Sequence, residues 1–373
     1  MKLEIKQNIL MEHLNYVIKG ISSKNIIPVL NCIKFELTNE GLYLMSTDND
    51  IAIKTFIPKE MIDTIDTYGT ILVSGRYIYE IIRKLSGETI KIEEVIDNKI
   101  DITTSNSNFS LNCNDAMEFP TLDLQDSENP LHLSKSMFKN IIRQTTFASS
   151  TQESRPALTG INFIIENNIL EASATDSYRV SKKTIELKEN VNEKINIIIP
   201  TRNLNELTKL LEDDEDEIEM HIFSNKVIFK FNNIIMMTRL INGEFPDLSK
   251  LIPNDYFLEV TTNLNQFYRA LDRASLFTNE SDKNIVTFVT KNNKVEISSN
   301  IPEIGHVEET LDVEKSNDNE IEISFSSKYM MDAIRALECE NIRISFSGDL
   351  KPIIIRDLDS DNLIELIVPI RTY

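Results

Sequence analysis

Arg76-Tyr-Ile-Tyr-Glu-Ile-Ile-Arg-Lys-Leu85 decides how this chain is read. Ile78, Ile81, Ile82 and Leu85 recur at i, i+3, i+4 and i+7, the spacing of an amphipathic helix, and Arg76, Glu80 and Arg83 fall on the opposite face. The stretch returns 126 residues later as Arg202-Asn-Leu-Asn-Glu-Leu-Thr-Lys-Leu-Leu211, and 126 later again as Lys328-Tyr-Met-Met-Asp-Ala-Ile-Arg-Ala-Leu337. A base-acid-base pattern survives in all three copies, carried by Arg76, Glu80 and Arg83, by Arg202, Glu206 and Lys209, and by Lys328, Asp332 and Arg335. The apolar face survives as well. A repeat of this period marks one structural unit written three times.

The flanking sequence repeats with it. Helical patterns with Leu10, Leu14 and Val17 on one face have counterparts at Phe138, Ile142 and Thr145 and at Phe267, Leu271 and Ala274. Ser134 and Asn263 stand where N-caps belong. Alternating segments predict strand hairpins at 29–48, 161–176 and 285–300, with Phe35, Phe163 and Phe288 equivalent. Further strands are expected at 89–93, 217–223 and 341–346. Glu118-Phe-Pro and Glu244-Phe-Pro close the first two units, so the domains are expected at 1–128, 129–254 and 255–373. The fold class is α+β, each unit placing helices on one face of antiparallel sheet. Three units in a row leave open sheet edges, and a head-to-tail dimer would close them into a ring of six domains.

The net charge of −20 excludes a uniformly basic nucleic-acid binder. Six predicted helices, at 8–20, 76–85, 134–148, 202–211, 263–277 and 328–337, nevertheless carry +8 and leave −28 to the rest, a focused field that doubles to +16 in a dimer. No apolar run is long enough for a membrane span, and Met1-Lys-Leu-Glu-Ile-Lys reads as a strand and not a signal peptide. Cys32, Cys113 and Cys339 are isolated thiols, expected buried and reduced in a cytoplasmic protein. Asp48, Asp50 and Asp176 admit a metal-dependent nuclease, but their repetition at equivalent strand ends favours turn closure. The acidic run Glu212–Glu217 lacks the glycine and ligand spacing of a calcium loop and reads as a solvated turn. His13, His132, His221 and His306 share no ligand spacing and default to surface or half-buried positions. No phosphate-cradling glycine loop is present. A scaffold that binds proteins and no nucleic acid is a third reading.

Ile27-Pro-Val-Leu, Ala174-Thr-Asp-Ser-Tyr-Arg, Gly243-Glu-Phe-Pro-Asp and the terminal Val368-Pro-Ile-Arg371, in this order within a threefold repeat, make the chain resemble the bacterial replicative sliding clamps, the beta subunits of DNA polymerase III holoenzyme. The resemblance covers the full length. It implies a non-enzymatic, cofactor-free and metal-free homodimeric ring that encircles duplex DNA without sequence preference. It further implies a cytoplasmic protein, nucleoid-associated during replication. As partners it implies the replicative polymerase, a clamp loader, and other replication and repair proteins carrying a short motif of the Gln-Leu-x-Leu-Phe type.

The resemblance also implies sites. A peptide pocket would comprise Leu158, Thr175, Ser177, Tyr178, Arg179, Val180, Pro246, Leu251, Leu366 and Val368, adjoined by Arg155, Ser326, Tyr329, Pro352, Pro369, Ile370 and Arg371. Arg371 or Arg179 would hold a polar or charged end of the peptide. Ser177-Tyr178 stands where many members carry Gly-His, and Pro156-Ala157 where some carry two tyrosines, which implies an altered rim. DNA would face Lys24, Arg76, Gln152 and Arg202 and, by the repeat, Lys139, Arg143, Arg269, Arg273, Lys328 and Arg335. The dimer seam would join Phe109 and Leu111 to Leu276 and Phe277. Ser105, Asn106 and Asn108 occupy the strand where some members place arginines, leaving none there for an ionic contribution.

Overall fold

Each copy of the quoted helix forms where its apolar spacing puts it. The computed structural model describes residues 1–22, 26–85, 87, 89–95, 98–212, 214, 216–253, 255–281 and 283–371. Among these are six α-helices: α1 (Gln7–Val17), α2 (Gly75–Lys84), α3 (Lys135–Thr145), α4 (Thr201–Thr208), α5 (Leu264–Ala274) and α6 (Ser327–Ala336). Ile78, Leu204 and Met330 are equivalent and wholly buried. The caps follow the sequence: Ser134 Oγ accepts from the Met137 amide at 3.1 Å, and Asn263 Oδ1 from the Gln266 amide at 3.1 Å. Ser326 serves α6 in the same way, accepting from the Tyr329 amide at 3.4 Å.

The described residues fall into two compact units, 1–137 with 206–240, and 138–205 with 241–373. The first holds an antiparallel sheet of thirteen strands. Cys32–Leu37, Gly41–Thr47 and Ile51–Pro58 form a meander within it. Gly41 turns at φ 153°, and a Cβ there would lie 2.1 Å from the Ile57 carbonyl oxygen, so only glycine fits. The meander does not end at Ile51–Pro58. That strand pairs with Ile234–Arg239, with Ile51 opposite Thr238 and Thr55 opposite Ile234. A strand of the first repeat is thereby laddered to a strand of the second.

The second unit repeats this joint. Its nine-stranded sheet carries the meander Gly160–Glu166, Ile169–Thr175 and Arg179–Glu186, and the last of these pairs with Leu363–Ile367 of the third repeat. A separate four-stranded sheet holds Gly305–Asp312, Lys294–Ile301, Ile285–Lys291 and Glu322–Ser326, in that order. The core of the third repeat centres on Phe288, whose ring lies 6.2 Å from Phe267, 6.2 Å from Phe325 and 5.3 Å from Phe346. These rings join α5 to strands of both sheets, and offset or edge contacts of this kind add to the area term. Phe163, its equivalent in the second repeat, lies 6.1 Å from Phe138 of α3.

Four sequence expectations need correction. The strand expected from residue 29 begins at Cys32, because Pro28, lacking an N–H, opens a 3-10 turn over Pro28–Asn31. The acidic run is more than a solvated turn: Asp214 and Asp216 reach the wholly buried ammonium of Lys135, at 3.1 and 3.6 Å, and Asn232 Oδ1 accepts from it at 3.0 Å. His13 and His221 are buried, not half-exposed. His13 Nδ1 sits 2.7 Å from Thr55 Oγ1, and burial lowers its pKa. His221 Nδ1 accepts from the Ser127 amide at 3.0 Å and so fixes the segment that leads out of the first repeat. The fourth correction concerns the thiols, of which Cys32 is buried while Cys113 and Cys339 are half-buried; the last described strand stops at Ile367, beyond which Val368 N donates to the Tyr178 carbonyl at 2.9 Å and Ile370 N to the Ser324 carbonyl at 2.7 Å.

Glu365 lies on the joint strand of the second unit, fully buried and opposite Ser181. The Ser181 hydroxyl is 2.7 Å from the Gln144 carbonyl and 2.8 Å from Glu365 Oε1. It has one proton, and a carbonyl can only accept. The satisfied arrangement therefore has Ser181 donating to Gln144 and a protonated Glu365 donating to Ser181. Burial pushes the Glu365 pKa well above 4.5 in the same sense. In the unfolded chain this carboxyl ionises near 4.5, so rising pH above that value favours unfolding until the folded group itself ionises. Glu365→Gln removes that loss. Thermal unfolding should show the variant gaining on the parent from pH 4.5 upward, and a pH-independent difference would mean that Glu365 is charged in the fold.

Candidate partner cleft and nucleic-acid face

Thr175-Asp-Ser-Tyr-Arg179 is a tight turn built from its own side chains. Thr175 Oγ1 donates to the Arg179 carbonyl at 2.6 Å and accepts from the Ser177 amide at 3.1 Å. Asp176 Oδ1 accepts from the amides of Tyr178 and Arg179 at 3.0 and 3.1 Å. Ser177 is held at φ 78°, a left-handed conformation that favours glycine. The first repeat makes the same turn: Asp48 Oδ1 accepts from the amides of Asp50 and Ile51 at 3.1 and 3.0 Å, and Asn49 also has φ 78°. The carboxylates of Asp48 and Asp176 are thus turn-closing groups, and among the described residues no cluster of carboxylate, thiol or imidazole groups could hold a metal.

The turn projects Arg179 into a half-buried slot. Its Nε donates to Asp176 at 2.9 Å and its Nη1 to Asp332 of α6 at 2.8 Å. The guanidinium carbon lies 4.5 Å from the Tyr329 ring and 5.3 Å from that of Phe147. Two carboxylates and two aromatic faces thus engage this cation. Arg371 is exposed.

Beside the slot opens a cleft of about 560 Å³, lined by Arg155, Leu158, Ser177, Tyr178, Arg179 and Tyr329 among others. Gln152 and Lys328, expected on the DNA side, also line it. Its walls are mixed: Arg155 Nη1 donates to Ser177 Oγ at 3.4 Å, while the Tyr178 side chain is exposed. The other expected pocket residues are distributed differently. Val180 and Leu366 are buried in a small cluster with Leu248 and Ile354, against which Phe245, Ile252 and Tyr256 pack. Leu251, Val368 and Pro246 are exposed. Thr175 and Ser326 are buried, the first closing the turn and the second capping α6, so neither presents a wall. Pro352, Pro369 and Ile370 are half-buried. Phe147 and Asp332, which hold Arg179 in its slot, are residues that sequence reasoning missed. Asp332 was visible only as the acid of the repeated charge pattern.

The expected DNA-facing residues Arg76, Arg143, Arg202, Arg269, Arg273, Lys328 and Arg335 are exposed on the polar faces of their helices, as is Gln152 on its loop, and Lys139 is half-exposed. Lys24 lies outside the described residues. Several are ion-paired: Arg143 with Glu338, Arg273 with Glu309 through 2.7 and 2.6 Å bonds, Lys328 with Glu280 at 3.4 Å and Arg335 with Asp332 at 3.6 Å. For the seam, Phe109 on Asn108–Asn114 is 36% exposed and Leu111 half-buried. Leu276, 75% exposed, and half-buried Phe277 sit in the 3-10 turn that follows α5. Phe277, Ile285, Ile301 and Val307 line a cleft of about 660 Å³. Burial pushes the thiols of Cys113 and Cys339 up to about 11, which keeps them protonated and unreactive. No described helix is long and apolar enough to cross a membrane.

Comparison with known proteins accounts for the whole chain. Residues 1–123, 132–247 and 249–371 match the N-terminal, central and C-terminal domains of the DNA polymerase III beta subunit. The beta sliding clamp of Bacillus subtilis is 38% identical over 378 residues, and that of Staphylococcus aureus 37% over 377, with each chain fully covered. The crystal structure of the DNA polymerase sliding clamp from Bacillus subtilis superposes with a TM-score of 0.96 at 38% identity. The DNA polymerase III beta chain of Streptococcus pneumoniae superposes at 0.95 with 32% identity, and both pairs are covered over 100% of each chain. Three tandem clamp domains and full-length kinship place this chain in the DNA polymerase III beta subunit family, the sliding clamps, which are non-catalytic processivity subunits.

Proposed function

We propose that two copies of this chain close head to tail around duplex DNA, as a ring of six domains at 1–128, 129–254 and 255–373 of each copy, and tether the replicative polymerase to it. The observation that carries this is the repeated strand joint. Ile51–Pro58 pairs with Ile234–Arg239, and Arg179–Glu186 with Leu363–Ile367. Carried one repeat further, the same rule needs a partner for Gly305–Asp312, the outer strand of its sheet. Carried one repeat back, it needs one for Asn108–Asn114, which on one side pairs with its neighbour only at Cys113 and Asn114. The open edges are the last and first of the series, so they suit each other in a second copy. Phe109 and Leu111 would then enter the cleft at Phe277 beside Leu276.

The basic helix faces supply phosphate attraction without groups placed to read base edges, which suits a ring that slides. Arg76, Lys139, Arg143, Gln152, Arg202, Arg269, Arg273, Lys328 and Arg335 are assigned to that face. The cleft at Arg155, Leu158, Tyr178, Arg179 and Tyr329, with the apolar surface of Leu251 and Val368, would take the aliphatic and aromatic anchors of a short peptide. Polymerase, clamp loader and repair proteins would share it.

Topology and docking are tested separately. Burying side chains such as Leu276 and Phe277 is worth about 1.5–3 kcal/mol each, so Leu276→Asp with Phe277→Asp should give folded monomer by sedimentation and lose retention on circular DNA. The parent ring should stay on circular DNA and run off linear DNA. Equal retention on both forms would defeat the tether, and an intact dimer in the double variant would defeat the seam.

The tail gives a test of the cleft. Val368 is bonded to the Tyr178 turn and Ile370 to Ser324. Deleting 368–373 should leave a dimer that no longer binds a Gln-Leu-x-Leu-Phe peptide in fluorescence anisotropy. Undiminished peptide affinity in the truncated ring would place the docking site elsewhere.

A further inference from the structure

We infer that carboxylates built around the DNA-facing cations, Glu338 and Glu309 foremost, deliberately weaken the grip of this chain on DNA and so set how freely it slides. The inference rests on the DNA-facing reading above and names what tunes it. The pairs share a pattern: a cation on a helix meets an acid from another element or the next turn. Arg143 of α3 donates to Glu338, which follows α6, and Asn140 holds both partners, accepting from Arg143 at 2.8 Å and donating to Glu338 at 3.5 Å. Arg273 of α5 forks onto both oxygens of Glu309, on the strand Gly305–Asp312. Lys328 of α6 meets Glu280, beyond α5, and Arg335 shares Asp332 with Arg179. Four of the assigned cations are thus neutralised by side chains drawn from a strand, two connecting segments and a helix.

A guanidinium fork fits a carboxylate and a phosphate alike. A phosphate that approaches Arg143 or Arg273 must displace the resident carboxylate, and the gain is only the difference between two similar bonds. The displaced carboxylate then stands beside the DNA backbone, where like charges repel. Exposed ion pairs are worth about 0–1 kcal/mol, so the carboxylate gives way instead of blocking. The exchange also releases fewer counterions than the formal charge of the helices implies, because the cation was already neutralised by protein. Contacts of this kind are weak and exchange readily between neighbouring phosphates. An acidic chain with a basic face gains from them, since a fully bare set of cations would bind one position on DNA tightly.

Glu338→Gln and Glu309→Gln keep the side-chain shape and remove the charge. The full-length dimer should bind a short fluorescein-labelled duplex about two- to fivefold more tightly at low salt in the variants, the range that the loss of one exposed pair permits. The salt slope should steepen by up to about 0.9 for each arginine freed. Arg143→Gln and Arg273→Gln, measured alongside, should weaken binding and flatten the slope. If the arginine variants weaken binding and the glutamate variants leave it unchanged, tempering is wrong while the DNA face stands. Weaker binding in the glutamate variants also overturns the proposal, since the acids would then be positioning the arginines. If none of the four changes binding, the DNA-facing assignment of α3 and α5 fails first and the inference with it. Glu338 is an exposed residue, so its variant remains informative should Glu309→Gln disturb its strand; sedimentation checks both for the dimer.

Discussion

An antiparallel strand edge must be paired, covered or blunted, and this chain repeatedly pairs the edge of one repeat with the edge of the next. The Ile51–Pro58 ladder to Ile234–Arg239 and the Arg179–Glu186 ladder to Leu363–Ile367 are main-chain bonds, indifferent to side-chain identity. That leaves the side chains at each joint free to diverge. The partner cleft grows out of the second joint. Its turn, Thr175–Arg179, leads into one joint strand, and Val368, which continues the other, bonds back to the Tyr178 carbonyl.

The two joints show how far equivalent backbones have parted. Asn49 and Ser177 have the same φ, and Asp48 and Asp176 close the same turn. Two residues past the left-handed position, the first repeat has Ile51, which is buried, and the second has Arg179. The acids of the repeated helices part in step. Glu80 holds Arg83 and Glu206 holds Lys209, each three residues on, whereas Asp332 holds Arg335 at that spacing and also reaches out to Arg179. A slot for an aromatic-stacked cation exists at the second joint because two substitutions in distant segments meet there.

This explains what could be read before the fold was known. The helices, their caps, the hairpins and the turn-closing aspartates are local. Periodicity of 3.6 or 2 and a cap three residues from its amide leave their mark within a dozen positions. The number of repeats was legible for the same reason. Pairings between distant segments left no such mark. Nothing near Lys135 announces that Asp214 and Asp216 will enclose it, and nothing near Arg179 names Asp332. Alternation at 29–31 predicts a strand there, but Pro28, whose ring sets a turn, delays its start to Cys32. For the cleft, the turn segment itself was legible through family resemblance. The division of the expected pocket residues into exposed and buried ones depends on packing that one sequence does not encode locally.

Two buried ionisable groups solve one problem in opposite ways. Lys135 begins α3, where the helix dipole already presents positive charge, so a buried ammonium there is doubly unfavourable. Asp214, Asp216 and Asn232 converge on it from two connecting segments and offset that cost. Glu365 meets no such convergence. Ser181 is its hydrogen-bonding neighbour, and Arg179 on the same strand turns its guanidinium to Asp176 and Asp332 instead. Burial decides its state: with no counter-charge bonded to it, the carboxyl is held neutral and donates through Ser181 to the Gln144 carbonyl.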